Sequence, residues 1–127
     1  MKLLLDTHTF LWFIDDSPLL SAKGKTLLEA ENELLLSIGS LWEIAIKLCL
    51  GKLTVAMPTE VLMTQQLASN AIDVLSITAP HLATVSTLPL HHRDPFDRLI
   101  IAQAMVEQMP IVSADPAFDA YPIQRLW

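Results

Sequence analysis

The chain has 127 residues and a net charge of −6, from 8 basic and 14 acidic side chains. The length suits one domain, residues 1–127, and the charge argues against a broad basic surface for binding nucleic acid. Hydrophobic residues make up 52% and mean hydropathy is +0.43, which is ample for a core. The longest apolar run, residues 10–14, is far shorter than the roughly 20 residues of a membrane span.

Short apolar runs predict strands, and segments with apolar residues at helical spacing predict helices between them. In chain order we predict strand 2–6, helix 7–16, helix 21–32, strand 33–38, helix 40–51, helix 59–70, strand 73–77, helix 79–88, helix 93–109, strand 110–115 and a short edge strand 123–127. Strands that alternate with helices form parallel sheets covered on both faces. We therefore expect a three-layer α/β/α fold with four or five parallel strands.

The first residues, MKLLLD, are similar to the start of a signal peptide. Asp6 ends the apolar stretch before the roughly 7–15 residues that such a peptide requires. The single Cys49 cannot form an intramolecular disulfide, which suits a reducing compartment. We therefore expect a cytoplasmic protein that makes no membrane contact.

Two acidic residues directly follow predicted strands. Asp6 comes after the first strand and Asp115 after the fourth. Ligand sites of parallel sheets lie outside the carboxyl ends of the strands, so both residues are expected at that edge. Asp6 can cap the helix that follows, belong to a site, or do both, because the helix begins at the same edge.

Two further acids lie in the first turns of helices that begin at this edge. Glu43 fits a capping box with Ser40 and a helical ion pair with Lys47. Asp94 is predicted to cap the late helix, and Asp97 then lies where the helix dipole favours an acid. Each of these acids therefore has a structural explanation when it is considered alone.

Together the acids are harder to explain as independent caps. No lysine follows Lys52 to neutralise them, and crowded carboxylates repel one another. A hard divalent cation with oxygen ligands removes that repulsion, so we interpret the set as a metal site. The set consists of Asp6, Glu43, Asp97 and Asp115. Asp119 is instead expected to be a solvated turn residue.

The remaining residues with chemical potential carry weaker signals. The histidines show no zinc-ligand spacing with Cys49. His91 and His92 precede a helix and are expected on a loop surface, with contact to a substrate phosphate as the lesser alternative. Trp12 and Trp42 are expected in the core rather than on a base-stacking platform.

Four segments, in this order and at this total length, carry a family resemblance: LLLDTHTFLW, SLWEIAIK, HRDPFDRLIIAQA and IVSADPAFDAY. The chain resembles PIN-domain ribonucleases of the VapC toxin type along essentially its whole length. The four acids of the family pattern fall on the four acids of the predicted metal site. Asp94 matches an additional acid of some members, Ser113 stands where the family often has Ser or Thr, and Thr7 is included as a further supporting residue.

The resemblance implies Mg²⁺ or Mn²⁺ dependence and cleavage of RNA phosphodiester bonds. It also implies a homodimer and a cognate antitoxin that blocks the site and carries any DNA contact. On this hypothesis one metal activates water and a second, about 4 Å away, stabilises the leaving oxygen. Asp6 and Asp97 bind metal directly, Asp115 does so directly or through water, and Glu43 binds the second metal or orients the water.

Other functional classes fit the sequence less well than a nuclease does. A receiver domain needs a lysine late in the chain, and a haloacid-dehalogenase-type phosphatase needs a second aspartate where His8 stands. A non-catalytic acidic interaction module or a Mg-binding signalling module remains the alternative. Residues 59–88 carry only Glu60 and Asp73 as charges, so we predict that helices in this region form the dimer interface.

Overall fold

A computed structural model describes residues 1–127 and contains a single sheet of five parallel strands. The strands are β1 (Lys2–Leu5), β2 (Glu33–Ser37), β3 (Ile72–Leu75), β4 (Ile111–Val112) and β5 (Arg125–Leu126). Their order across the sheet is β3-β2-β1-β4-β5, and all four pairings are parallel. The predicted parallel sheet is confirmed, including the short edge strand.

The helices follow the predicted alternation with shorter bounds. They are α1 (Thr7–Ile14), α2 (Ala22–Glu29), α3 (Ile38–Cys49), α4 (Thr59–Met63), α5 (Gln65–Ser69), α6 (Ala79–Thr87), α7 (Pro95–Glu107) and a 3₁₀ helix, Pro116–Ala120. The single helix predicted over 59–70 is wrong, because the backbone leaves helical geometry at Thr64 (φ −125°, ψ −69°) and separates α4 from α5. None of the helices could cross a membrane, since each is too short or too polar.

The leucines of β1 divide the core between the two faces of the sheet. Leu3 and Leu5 pack with Phe10 of α1 on one face, whereas Leu4 packs with Ile100 of α7 on the other. All three leucines are fully buried, because alternate side chains of a strand point to opposite faces. Two apolar layers around one sheet give the three-layer α/β/α fold that the sequence predicts.

The connections create a crevice at the carboxyl edge of the sheet. From β1 the chain moves to β2 and β3 on one side, then returns to place β4 and β5 on the other. Strand order therefore reverses between β1 and β4, and ligands bind at such a switch point in open α/β sheets. Asp6 and Ser113 are the first residues beyond these two strands.

Candidate metal centre

A serine joins the carboxyl ends of the two central strands. The buried Ser113 hydroxyl donates a hydrogen bond to Asp6 Oδ2 (2.8 Å) and accepts one from the Asp115 backbone N–H (3.0 Å). Asp6 occupies the N-cap position of α1, yet its side chain makes no capping hydrogen bond. The Asp6 carboxylate is therefore directed into the crevice and does not serve as a side-chain cap.

Glu43 lies deeper in its helix than the capping-box hypothesis required. That hypothesis is wrong, because α3 begins two residues before the predicted start and its N-cap is Ser37, which accepts from the Gly39 N–H. Glu43 is buried, and its Oε1 accepts from the Thr7 hydroxyl (2.8 Å). The predicted ion pair is confirmed, since Lys47 Nζ lies 2.8 Å from Glu43 Oε2.

The start of α7 brings two more acids to the same crevice. Asp94 is the N-cap as predicted, with Oδ1 accepting from the Phe96 N–H (2.8 Å) and the Asp97 N–H (3.3 Å). Pro95 occupies the first helical position. A backbone N–H there has no acceptor within the helix, so the N–H that proline lacks costs no hydrogen bond. Asp97 is the third residue of α7, which aims its carboxylate towards the ends of β1 and β4.

The acids lie close enough to change the protonation of Asp97. Burial, followed by repulsion from four other carboxylates, raises the pKa of Asp97 to about 8. Those carboxylates are, in order of effect, Asp6, Asp94, Glu43 and Asp115. Burial also raises the pKa of Asp6, and the hydrogen bond from Ser113 opposes that shift. The structure thus brings all four predicted site acids together, with Asp94 as a fifth member.

Few cations offset this charge. Lys47 pairs with Glu43, and Arg125 pairs through two 2.9 Å hydrogen bonds with the exposed Asp119, which lies outside the cluster. No lysine or arginine nitrogen lies within 4.0 Å of the carboxylates of Asp6, Asp94, Asp97 or Asp115. The negative charge of the crevice is therefore left largely uncompensated by the protein's own basic residues.

His92 belongs to this cluster, which the sequence analysis did not predict. Its Nε2 lies 2.9 Å from Asp97 Oδ2 and 3.7 Å from Asp115 Oδ2. The His92 side chain is only 15% exposed, so the expectation of a loop-surface residue is wrong. The sequence did offer one signal for this contact, which is that His92 lies two residues before the Asp94 cap. The chain turns into α7 there, so His92 is near the acids of the first turn.

A glycine lies where the two acid-bearing helices meet. A Cβ on Gly39 of α3 would lie 2.5 Å from Leu99 Cδ2 of α7. Gly39 therefore lies directly against the Leu99 side chain, and a larger residue at this position would require Leu99 to shift. The sequence contained the glycine, but nothing local indicated what it would contact.

The expectation of a buried Trp42 is also wrong. Trp42 is 62% exposed and stands edge-on to Phe96, with ring centroids 5.4 Å apart. Beside the two rings is an apolar groove of about 240 Å³ between α3, α6 and α7. The groove is lined by Trp42, Ile77, Leu82, Val85, Pro95, Phe96 and Leu99. Trp12 is half-buried against Trp127.

The donor atoms of the crevice suit a hard divalent cation. One ligand atom from each of His92, Asp97 and Asp115 can be chosen so that all lie within 4.8 Å of one another. Carboxylate oxygens dominate the surroundings, and Mg²⁺ and Mn²⁺ prefer such ligands. The raised pKa of Asp97 is what a cation site produces in the absence of its cation, so the residues fit a metal centre.

Comparisons with known proteins agree with this architecture. The model of the PIN domain family matches residues 3–124. A solved structure of VapBC2 from Rickettsia felis, bound to a DNA fragment from its promoter, is similar with a TM-score of 0.74 and 17% identity, over 99% of this chain and 98% of that chain. VapBC-1 from nontypeable Haemophilus influenzae gives a TM-score of 0.68 and 16% identity, over 99% and 97%.

FitAcB from Neisseria gonorrhoeae gives a TM-score of 0.68 and 17% identity, over 98% of this chain and 96% of that chain. At these identities the likeness supports the fold alone. A search of curated proteins finds no match. The family model covers nearly the whole sequence and the sheet and crevice have the predicted arrangement, so the chain belongs to the PIN domain family.

Proposed function

We propose that this protein is a metal-dependent endoribonuclease that acts as the toxin of a type II toxin–antitoxin pair, with residues 1–127 forming a single PIN domain. The observation that carries the proposal is the environment of Asp97. Its carboxylate is surrounded by four others, lacks a lysine or arginine partner, and has a pKa raised to about 8. Such crowding does not stabilise a fold, and carboxylates perturbed in this way cluster at functional sites.

Asp6, Asp97 and Asp115 are the residues that would hold Mg²⁺ or Mn²⁺. Asp6 Oδ2 accepts from the Ser113 hydroxyl (2.8 Å), and the Asp6 carboxylate makes no capping hydrogen bond to α1. Asp115 Oδ1 accepts from the Ala117 N–H (2.9 Å), and its Oδ2 lies 3.7 Å from His92 Nε2 on the crevice side. A bound divalent cation supplies Lewis acidity and lowers the pKa of a coordinated water.

Glu43 is held in one orientation by protein partners on both oxygens. Thr7 donates to Oε1, Lys47 donates to Oε2, and the Thr7 hydroxyl also contacts Ser40 Oγ (2.9 Å). Each carboxylate oxygen retains a second lone pair. We assign Glu43 to accepting a hydrogen bond from the attacking water, since Lys47 and Thr7 keep it from turning away.

Charge explains how an acidic protein can act on RNA. Without a cation the carboxylates of the crevice repel a phosphodiester, and nearby basic side chains do not offset the repulsion. A divalent cation held by Asp6, Asp97 and Asp115 would offset this repulsion and attract a phosphate. Substrate binding and water activation then depend on the same group, and cytoplasmic RNA is the proposed substrate pool.

A protein partner is part of the proposal. The similar solved structures are described as VapBC and FitAB-type complexes, one of them bound to promoter DNA. We propose a cognate antitoxin for this chain, through which any contact with DNA would be made. The acidic composition of the chain agrees with that division, since it provides no broad basic surface.

We also propose a homodimer whose interface includes the apolar groove beside Trp42. The groove has almost no polar lining, and Trp42, Ile77 and Leu82 are exposed around it. An apolar, nearly uncharged surface suits a second copy of itself better than it suits RNA, because nucleobases present polar edges that need hydrogen bonds. Ile77 and Leu82 lie within the predicted region 59–88, and Trp42 extends it onto α3.

The direct test is incubation of purified protein with total cellular RNA and Mg²⁺, followed by mapping of the new RNA ends. Cleavage at discrete positions that EDTA abolishes is the expected result. The Asp6→Asn variant is the matched control for contaminating nucleases. An acidic interaction module would leave the RNA intact in every arm, and that outcome would contradict the proposal.

A further inference from the structure

The loop that carries His92 is fixed by hydrogen bonds to the backbone N–H and the backbone carbonyl of His92. The His92 N–H donates to Tyr121 Oη (2.8 Å), and Arg98 donates to the His92 carbonyl (3.1 Å). Tyr121 and Arg98 also donate to the Pro89 carbonyl, at 2.7 and 3.0 Å. Residues on a merely solvated loop do not need four such bonds, so the fold determines where the His92 ring lies.

Arg98 serves this loop and no carboxylate. Its guanidinium makes four hydrogen bonds, all to backbone carbonyls of residues 85–92. An arginine beside an acidic crevice would gain more from an ion pair, so its use as a clamp indicates that the position of the loop matters. Tyr121, just beyond the 3₁₀ helix, is buried and supplies the second anchor.

The His92 ring is fixed as well, and the bond that fixes it also sets its tautomer. The Asp94 backbone N–H donates to His92 Nδ1 (3.2 Å), so Nδ1 must carry a lone pair. The proton of the neutral ring is then on Nε2, which faces Asp97 Oδ2 at 2.9 Å. In this tautomer the Nε2–H lies beside Asp97 Oδ2, and His92 does not present a free lone pair to the crevice.

This tautomer opposes the simplest interpretation of the His92, Asp97 and Asp115 cluster. A histidine that binds a metal through Nε2 directs its Nδ1–H to an acceptor such as a carbonyl or carboxylate. Here Nδ1 faces the Asp94 backbone N–H, which is a donor. That N–H cannot give way to an acceptor while Asp94 is the N-cap of α7. Ligation through Nε2 would move the ring proton to Nδ1, where the Nδ1–H would face the Asp94 N–H.

Resting on the proposed metal-dependent function, we propose that His92 is a positioning residue that orients Asp97 through its Nε2–H and does not itself bind the cation. The contact involves Asp97 Oδ2, so Oδ1 is the oxygen that would be left to a cation. Asp94 acts from the other side, since its Oδ1 accepts from the Asp97 N–H (3.3 Å) while its own N–H holds the His92 ring. Arg98 and Tyr121 support the arrangement by fixing the loop.

Two substitutions separate the two ends of the imidazole. A glutamine amide reaches the position of Nε2 and retains a donor for Asp97, whereas an asparagine reaches only the position of Nδ1 and loses the contact with Asp97. We expect His92→Asn to weaken Mg²⁺ binding by about 10- to 100-fold, as loss of an outer hydrogen-bond partner of a metal ligand does. We expect His92→Gln to remain within about threefold of the parent, because it keeps the donor.

The measurements are Mg²⁺ affinity by calorimetry and the His92 tautomer from two-bond ¹H–¹⁵N correlations, with and without Mg²⁺. Retention of the Nε2–H tautomer in the Mg²⁺-loaded protein, with the Asn and Gln variants separated as above, is the supporting result. A switch to Nδ1–H, a directly bonded nitrogen seen by pulsed EPR with Mn²⁺, or equal affinities of the two variants would overturn the role.

Thermal unfolding of both variants without metal identifies any loss of fold, and the tautomer of the parent protein tests the inference independently of either variant. None of these readouts uses RNA. A protein that binds Mg²⁺ with His92 as Nε2–H but leaves RNA intact would support the positioning role and contradict the proposed ribonuclease. A parent protein that binds no divalent cation would contradict both.

Discussion

The Ser113 hydroxyl holds Asp6 Oδ2 at 2.8 Å, and this bond connects the carboxyl ends of two neighbouring parallel strands that are more than 100 residues apart in the chain. It fixes one oxygen of a buried carboxylate at the switch point of the sheet. The same hydroxyl accepts from the Asp115 N–H, so one serine orients two acids of the crevice. The consequences can be tested by changing the acids and the residues that hold them.

Asp6→Asn is expected to reduce RNA cleavage by about 100-fold or more while the protein stays folded, because a hard cation loses a charged ligand. Since the Asp6 side chain makes no capping hydrogen bond, the helix α1 should not be affected. Melting temperature without Mg²⁺ should stay level or rise, as one of the mutually repelling charges is gone. A variant that cleaves RNA like the parent would remove Asp6 from the site.

Asp97→Asn is expected to stabilise the metal-free protein increasingly as pH rises. The pKa of Asp97 is raised from 3.8 to about 8 in the folded state, so the carboxyl is neutral there while the unfolded chain has already ionised. Its contribution to stability is fully present below pH 3.8 and is lost as pH rises through about 8. The asparagine side chain cannot ionise, so the variant avoids this loss. Its free energy of unfolding should exceed that of the parent by on the order of 1–4 kcal/mol at the highest pH measured.

Unfolding by urea in EDTA at several pH values between 5 and 9 measures this effect. Asp119→Asn is the matched control, because Asp119 is exposed, and its hydrogen bonds with Arg125 hold its pKa below the usual value. That substitution should give no gain that grows over the same range. Parallel curves for the parent and Asp97→Asn would mean that Asp97 ionises normally.

Mg²⁺ is expected to raise the melting temperature, and its affinity should increase with pH up to about 8, where Asp97 loses its proton. At 100 times the dissociation constant the cation stabilises the fold by about 2.7 kcal/mol, or roughly 10 °C for a chain of this size. Differential scanning fluorimetry at fixed pH, with EDTA as the reference, measures the shift. An affinity that is independent of pH from 6 to 8 is the contrary outcome.

Thr7→Val is expected to destabilise the fold by about 1–3 kcal/mol and to reduce cleavage, because it leaves the buried Glu43 Oε1 without its donor. Thr7→Ser keeps the hydroxyl and serves as the control. Chemical unfolding measures the first effect and an RNA cleavage assay the second. Similar behaviour of Val and Ser at this position would show that the methyl group, rather than the hydroxyl, is important.

Trp42→Ser is expected to shift the protein from dimer to monomer in sedimentation experiments at micromolar concentration, because Trp42 forms one wall of the apolar groove. Leu19→Ser is the control, since Leu19 is 63% exposed but does not line the groove. The interface proposal fails if the parent protein is already monomeric, or if both variants remain dimeric.

The sequence alone determined the layer architecture and the edge at which the acids meet. Apolar runs and helical spacing are local signals, so strands and helices could be placed within a few residues. Asp94 as a cap followed by Pro95 was equally local, and the structure has it as predicted. Because parallel strands end at one edge, the positions of Asp6 and Asp115 after their strands were sufficient to bring them together.

Only the tertiary structure decided how each side chain is used there. Helix α3 begins at Ile38, two residues before its predicted start, so Glu43 lies within the helix as a buried acid that accepts from Thr7 and is no longer part of a cap. Trp42 of the same helix lies at the surface beside Phe96 of α7. His92 entered the cluster because Arg98 and Tyr121 fix its loop. These outcomes depend on contacts between segments that are distant in the chain, and such contacts leave no periodic signal in the sequence.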